Sequence, residues 1–142
     1  MENNLKEKIV TYFKSMGGYA DVFEPSEIET DTICYFNIGY KNNVIKLEEL
    51  IKNGKKVLFK INIVTDWRIS KKSYWGEDLD YYRIFSVGQD GKMGLFWEDH
   101  LRIDYSEMSN EDYIFKVIND SIIKYKKMQV LIKEKELEED FD

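Results

Sequence analysis

One cysteine, one histidine and one proline stand in a chain of 142 residues. Each scarcity excludes something. A lone Cys34 cannot close an internal disulfide, which points to a reducing compartment and makes the cytoplasm the expected location. One imidazole and one thiol are too few for a zinc centre, which needs three or four suitable ligands. They also supply no nucleophile–base pair of the kind covalent catalysis uses. The glycines, eight in all, fall in no P-loop, dinucleotide fingerprint or calcium-hand loop. No apolar run approaches the roughly 20 residues that span a bilayer. The first residues, Met1-Glu2-Asn3-Asn4-Leu5-Lys6-Glu7, lack the basic start and apolar centre of a signal peptide. The expectation is a chain with no metal, no cofactor and no membrane partner.

What the chain has in quantity is aromatic and acidic. Ten tyrosines, eight phenylalanines and three tryptophans accompany a net charge of −6. Direct, general nucleic-acid binding draws on a basic face that displaces counterions, and the charge balance argues against it. One basic stretch, with Lys41, Lys46, Lys52, Lys55, Lys56 and Lys60 offset by Glu48 and Glu49, reads as the solvent side of a helix–turn–strand.

Hydrophobic periodicity sets the expected elements. Leu5, Ile9, Tyr12, Phe13 and Met16 make one stripe of a helix over 3–16, and Gly17-Gly18 supplies its C-terminal cap. A short strand is expected at 19–24, stopped by Pro25. Another follows at 31–40, where Thr32, Cys34, Phe36, Ile38 and Tyr40 alternate. Residues 44–53 read as a short helix with Ile45, Leu47, Leu50 and Ile51 inward and Gly54 as its cap. Val57, Phe59, Ile61, Ile63, Thr65, Trp67 and Ile69 occupy every odd position of one long strand with a single buried face. A polar loop at 70–80 leads to a strand at 81–87. Asp90-Gly91 is a hairpin turn signal, with Met93, Leu95 and Trp97 on the return strand. A turn at Glu98-Asp99-His100 precedes a short strand carrying Leu101, Ile103 and Tyr105. Ser109 and Asp112 resemble a capping box for a final helix over about 110–135, marked by Ile114, Val117, Ile118, Ser121, Ile122, Tyr125, Met128 and Ile132. The expected fold is a single α+β domain over 1–135, followed by a fraying acidic tail over 136–142. Its order is α-β-β-α-β-β-β-β-α, with a mostly antiparallel sheet of five to six strands flanked by the terminal helices.

Candidate chemistry is sparse. His100 reads as a solvent-exposed turn residue, and Cys34 as a small buried hydrophobe. Asp78, Asp80, Glu98 and Asp99 would supply the two carboxylates of a hydrolase if the fold juxtaposed them. Asp21, Glu24, Glu27, Glu29 and Asp31 form an acidic block with no basic partner, open to three readings: a solvated loop, a partner-binding face or a divalent-cation site. The segment Ser70–Asp80 carries Tyr74 and Trp75 among Glu77, Asp78 and Asp80. It is longer than the usual two to five residues of a hairpin loop, and longer loops are enriched in binding roles. Trp75 either stands in solvent as an interface anchor or folds back to cap the sheet.

In size, acidity, helix–sheet–helix layout and lack of catalytic residues, the chain resembles small immunity proteins, phage-encoded inhibitors of bacterial defence systems and acidic secretion chaperones. The resemblance implies a non-catalytic protein that docks an acidic, aromatic surface on a basic partner protein. Tyr74, Trp75, Glu77, Asp78 and Asp80 are the first contact candidates, and Asp21, Glu24, Glu27, Glu29 and Asp31 the second. The alternative is a small carboxylate-dependent enzyme or ligand-binding domain.

Overall fold

A computed structural model describes residues 2–23, 31–39, 42–53, 55–104 and 110–140. Helix α1 spans Glu2–Ser15. Its inward stripe is Leu5, Ile9 and Phe13, each at most 1% exposed. Gly17 takes φ +82° just past its end. The Gly18 N–H then donates to the Phe13 carbonyl at 2.6 Å and the Gly17 N–H to that of Lys14 at 3.1 Å. These are the paired bonds of a Schellman cap. Any side chain at Gly18 would press on the Asn37 carbonyl oxygen, so the cap also fits against the sheet.

Strands β1 (Tyr19–Phe23), β2 (Asp31–Asn37), β3 (Asn43–Lys52), β4 (Lys55–Ile63) and β7 (Leu101–Ile103) form one antiparallel sheet in the order β1-β2-β3-β4-β7. β5 (Asp66–Lys72) and β6 (Asp78–Val87) form a separate two-stranded hairpin. The final helix α2 runs Glu111–Asp140. The fold is thus a single α+β domain, with one helix at each end of the strand succession. No described helix is long and apolar enough to cross a membrane.

Three expectations about elements need correction. Residues 43–52 are a strand, not a helix. Ile45, Leu47 and Glu49 turn inward at a period of two, and Leu47 sits between Cys34 on β2 and Ile61 on β4. The Leu-Glu-Glu-Leu stretch favours a helix by propensity, but two flanking strands override it. The long strand expected over 57–69 is broken at Val64-Thr65. Beyond Ile63, which pairs with Leu101, the chain leaves the large sheet to begin the hairpin. Val64 serves as the hinge: its N–H donates to the Val44 carbonyl at 2.9 Å and its own carbonyl accepts from Ser121 Oγ. The return strand at Met93–Trp97 reduces to one bridge between Val87 and Met93, followed by a 3₁₀ turn at Trp97–Asp99. The Asp90-Gly91 turn does form, with Gly91 at φ +84° and Asp90 Oδ1 accepting the Lys92 N–H.

Both helices cover one face of the large sheet. Their apolar stripes join Cys34, Phe36, Ile45, Leu47, Phe59, Ile61, Ile63 and Ile103 in one core. Tyr12 of α1 meets Phe115 of α2 edge-on at 5.9 Å. The N-cap of α2 is Asn110, whose Oδ1 accepts the Tyr113 N–H at 3.1 Å; Ser109 lies outside the described residues. The helix runs on to Asp140, past the expected end near 135. Glu139 near its end accepts from Lys71 at 2.8 Å and from Tyr82 Oη at 2.9 Å. These partners offset the unfavourable meeting of a carboxylate and a helix C-terminus.

Candidate functional site

The hairpin places the sequence-predicted contact residues at its tip. The strands run through Lys72 and resume at Asp78, so the linking turn is only Ser73–Glu77, shorter than the loop expected over 70–80. Ser73 organises it: its Oγ accepts the N–H groups of Trp75 and Glu77, and its own N–H donates to the Glu77 carbonyl at 2.9 Å. Gly76 takes φ +81° to close the turn. Trp75 is thereby held outward, 82% exposed, and does not cap the sheet. Tyr74 turns back along the hairpin, edge-on to Phe85 at 6.2 Å and beneath the Arg83 guanidinium at 4.8 Å. Asp78 pairs with Lys72 at 2.6 Å, and that hydrogen bond holds its carboxyl below the usual range. Glu77, Asp80 and Tyr81 are exposed beside it.

The second acidic group is less gathered. Asp21 lies on the outer face of the large sheet, opposite Tyr35, and accepts from Asn37 Nδ2 at 3.1 Å. Asp31 opens β2 opposite Leu50. Glu24, Glu27 and Glu29 lie outside the described residues. β1 packs on β2 and α1, whereas the hairpin packs chiefly on α2, so different elements hold the two acidic groups. Among the described residues, no cluster of three or more His, Cys, Asp or Glu is placed to hold a metal ion.

An aromatic row that the sequence reading missed crosses the outer face of the large sheet. Phe23 meets Tyr35 at 5.7 Å, Tyr35 meets Trp97 at 6.0 Å and Trp97 meets His100 at 5.8 Å. Phe23 and Phe96 are more than half exposed. Across the same face, Glu48 bridges Lys46 at 3.1 Å and Lys60 at 3.4 Å. Two lysines of the basic stretch are therefore strand residues sharing one carboxylate, not the face of a helix. The pattern was legible in Ile33 and Tyr35, which alternate with buried Cys34 and Phe36.

His100 corrects a further expectation. It is 4% exposed, folded inward from the 3₁₀ turn, and Nδ1 has no hydrogen-bond partner among the described residues. Gly94 makes room for it: a Cβ there would stand 2.3 Å from the ring's Cε1. Burial pushes the imidazole below its ordinary value of 6.5, against the Gly94 and Val87 carbonyls and the Asp99 carboxylate, which favour the cation. An unfolded chain therefore takes up this proton at a higher pH than the folded one. Stability is expected to be level above about pH 6.5 and to fall below it, by at most about 1.4 kcal/mol per pH unit, until the folded ring is protonated. Since the chain has one histidine, urea midpoints at about pH 7.5 and about pH 5.5 test this directly. The wild type should lose stability between them, and His100→Gln should lose markedly less.

Cys34 lies fully buried in the core, and burial raises its thiol to about 11. Buried Glu49 receives Lys6 of α1 at 3.3 Å. Both belong to the packing of α1. Asp78 and Asp80 sit on the hairpin, while Glu98 and Asp99 occupy the 3₁₀ turn, where Asp99 Oδ2 accepts the Phe96 N–H at 3.3 Å. The four carboxylates thus have separate local settings. No protein-family model matches the chain, and comparison with curated proteins and with solved structures gives no significant match.

Proposed function

We propose that this is a non-catalytic binding protein that docks the tip of the β5–β6 hairpin onto a basic surface of another protein. The observation that carries the reading is Trp75, 82% exposed at the apex of a turn pinned by Ser73. A tryptophan buries some 150–250 Å² when covered, worth roughly 4–6 kcal/mol before costs at about 25 cal/mol per Å². The Ser73 hydrogen bonds pre-order the turn, which lowers the entropy lost on docking. Glu77 and Asp80 are exposed near the turn, and Asp78 beside them is paired with Lys72; their carboxylates are suited to steering a basic partner, an effect that salt would screen. Basic clefts are a property of nucleases and nucleic-acid-handling complexes, so inhibition of a toxin or a defence complex is the form of this activity we favour. The setting is the cytoplasm, where a lone buried thiol needs no disulfide partner.

The test begins with affinity capture and identification of the bound protein, followed by kinetics on the purified pair. Trp75→Ala should weaken binding by about thirtyfold or more, the loss of about 2 kcal/mol expected of an anchor, with circular dichroism unchanged. Glu77→Gln with Asp80→Asn should slow association and flatten its salt dependence while altering dissociation little. A captured partner whose affinity survives Trp75→Ala, or whose association rate ignores salt, overturns the reading.

A further inference from the structure

A second site lies between the outer edge of β6 and the large sheet. It is a cleft of about 240 Å³, the space of roughly eight waters at ~30 Å³ each. Trp67, Tyr74 and Trp97 contribute aromatic surface, and Arg83, Asn43 and His100 polar groups. Arg83 is half-buried and fixed over the Tyr74 ring at 4.8 Å, yet it has no carboxylate partner among the described residues. By contrast, exposed Arg102 holds Asp104 at 2.6 Å. No acidic side chain lines this cleft among the described residues. His100, its ring 4% exposed, closes the inner wall of the cleft.

We infer that this cleft is a binding site for a small planar organic anion, an aromatic or heteroaromatic carboxylate, with the carboxylate on Arg83 and the ring against Trp97. A guanidinium held over an aromatic ring is set to receive a carboxylate through two parallel hydrogen bonds. The Trp97 indole rewards a flat ring, and the lack of acids among the described lining residues removes the repulsion an anion meets elsewhere on this surface. The site is distinct from the hairpin tip. Tyr74 turns toward the cleft, whereas Trp75 beside it points to solvent.

The experiment is a titration of the whole protein followed by indole N–H resonances, with benzoate, benzamide, acetate and inorganic phosphate as probes. Benzoate should bind saturably in the millimolar range and shift the Trp97 signal, leaving that of Trp75 in place. Benzamide, equal in shape and without charge, should bind at least about tenfold more weakly, and acetate should shift the Trp97 signal far less. Arg83→Gln should abolish the benzoate response. Asn43→Asp, which sets a carboxylate at the exposed mouth, should weaken it independently if the first variant fails to fold. Equal affinity for benzoate and benzamide, inorganic phosphate binding in preference to benzoate, or no saturable shift with benzoate would each overturn the assignment.

Discussion

Replacing Phe13 by alanine lowers the stability of this protein by about 3–5 kcal/mol, the usual cost of deleting a buried aromatic ring. Phe13 is fully buried. Its ring lies 5.5 Å from that of Phe36 on β2 and 5.9 Å, edge-on, from that of Tyr12. It is also the residue whose carbonyl receives the Gly18 N–H at the helix cap, so packing and chain reversal meet at one position. Domains of this size have total stabilities of about 5–15 kcal/mol, so the substitution removes a large share. Exposed Lys14, the next residue along α1, provides the control, since surface changes stay within about ±0.5 kcal/mol. Urea unfolding followed by tryptophan fluorescence checks both. A Phe13→Ala midpoint close to that of Lys14→Ala means that α1 is not seated on the sheet as described.

How much of this was legible in the sequence depended on whether a segment's neighbours agreed with its local preference. α1 was readable because Leu5, Ile9 and Phe13 repeat at four-residue spacing and Gly17-Gly18 ends them, and both signals act within the helix itself. β3 was misread because Leu-Glu-Glu-Leu favours a helix locally while Ile45 and Leu47 are fixed by strands on either side. One local cue did favour the strand. Asn53-Gly54 is the pair preferred in tight hairpin turns, Asn53 adopts φ +52°, and Lys52 pairs with Lys55. Reading Gly54 as a helix cap concealed it. The break after Ile63 left no mark on the alternation, because Trp67 stays inward by leaving the sheet and packing on α2 instead.

The candidate site divides along the same line. Trp75 with Glu77, Asp78 and Asp80 was visible because a turn gathers residues adjacent in sequence. His100 and Arg83 were not, because the surroundings that distinguish them come from other segments of the chain. His100 was expected in water on the strength of Glu98 and Asp99 beside it. The small residue that admits its ring, Gly94, lies six positions earlier on the far side of the 3₁₀ turn. Asp21 was readable as acidic, but its bond to Asn37 rests on strand register, which no local pattern supplies.

The hairpin's attachment to the domain gives the second large effect. A two-stranded ribbon is marginal by itself, and Trp67 is its principal anchor. The residue is 4% exposed, its ring stands 5.2 Å from Tyr125, and its Nε1–H donates to Ser121 Oγ at 3.1 Å. Ser121 in turn donates to the Val64 carbonyl at the hinge. Trp67→Ala should cost about 3–5 kcal/mol, whereas Trp67→Phe, which keeps a ring but loses the N–H, should cost about 1–3 kcal/mol. The loss should be local in character. Beyond Trp67, the hydrogen-bonded anchors of the hairpin on α2 include the exposed contacts of Glu139 with Lys71 and Tyr82, and exposed pairs contribute about 1 kcal/mol or less. Hydrogen exchange in Trp67→Ala should therefore rise across residues 66–87 well before it rises in β2, β3 and β4. The consequence reaches binding: Trp75 would then ride on a mobile arm, and a partner would have to order the hairpin as it docks. Trp67→Ala should thus weaken partner affinity even though Trp67 lies buried and away from the contact, and association should slow more than dissociation speeds. If exchange rises equally in hairpin and sheet, the hairpin is part of one cooperative unit, and the tip owes its fixed position to the whole core and not to this one indole.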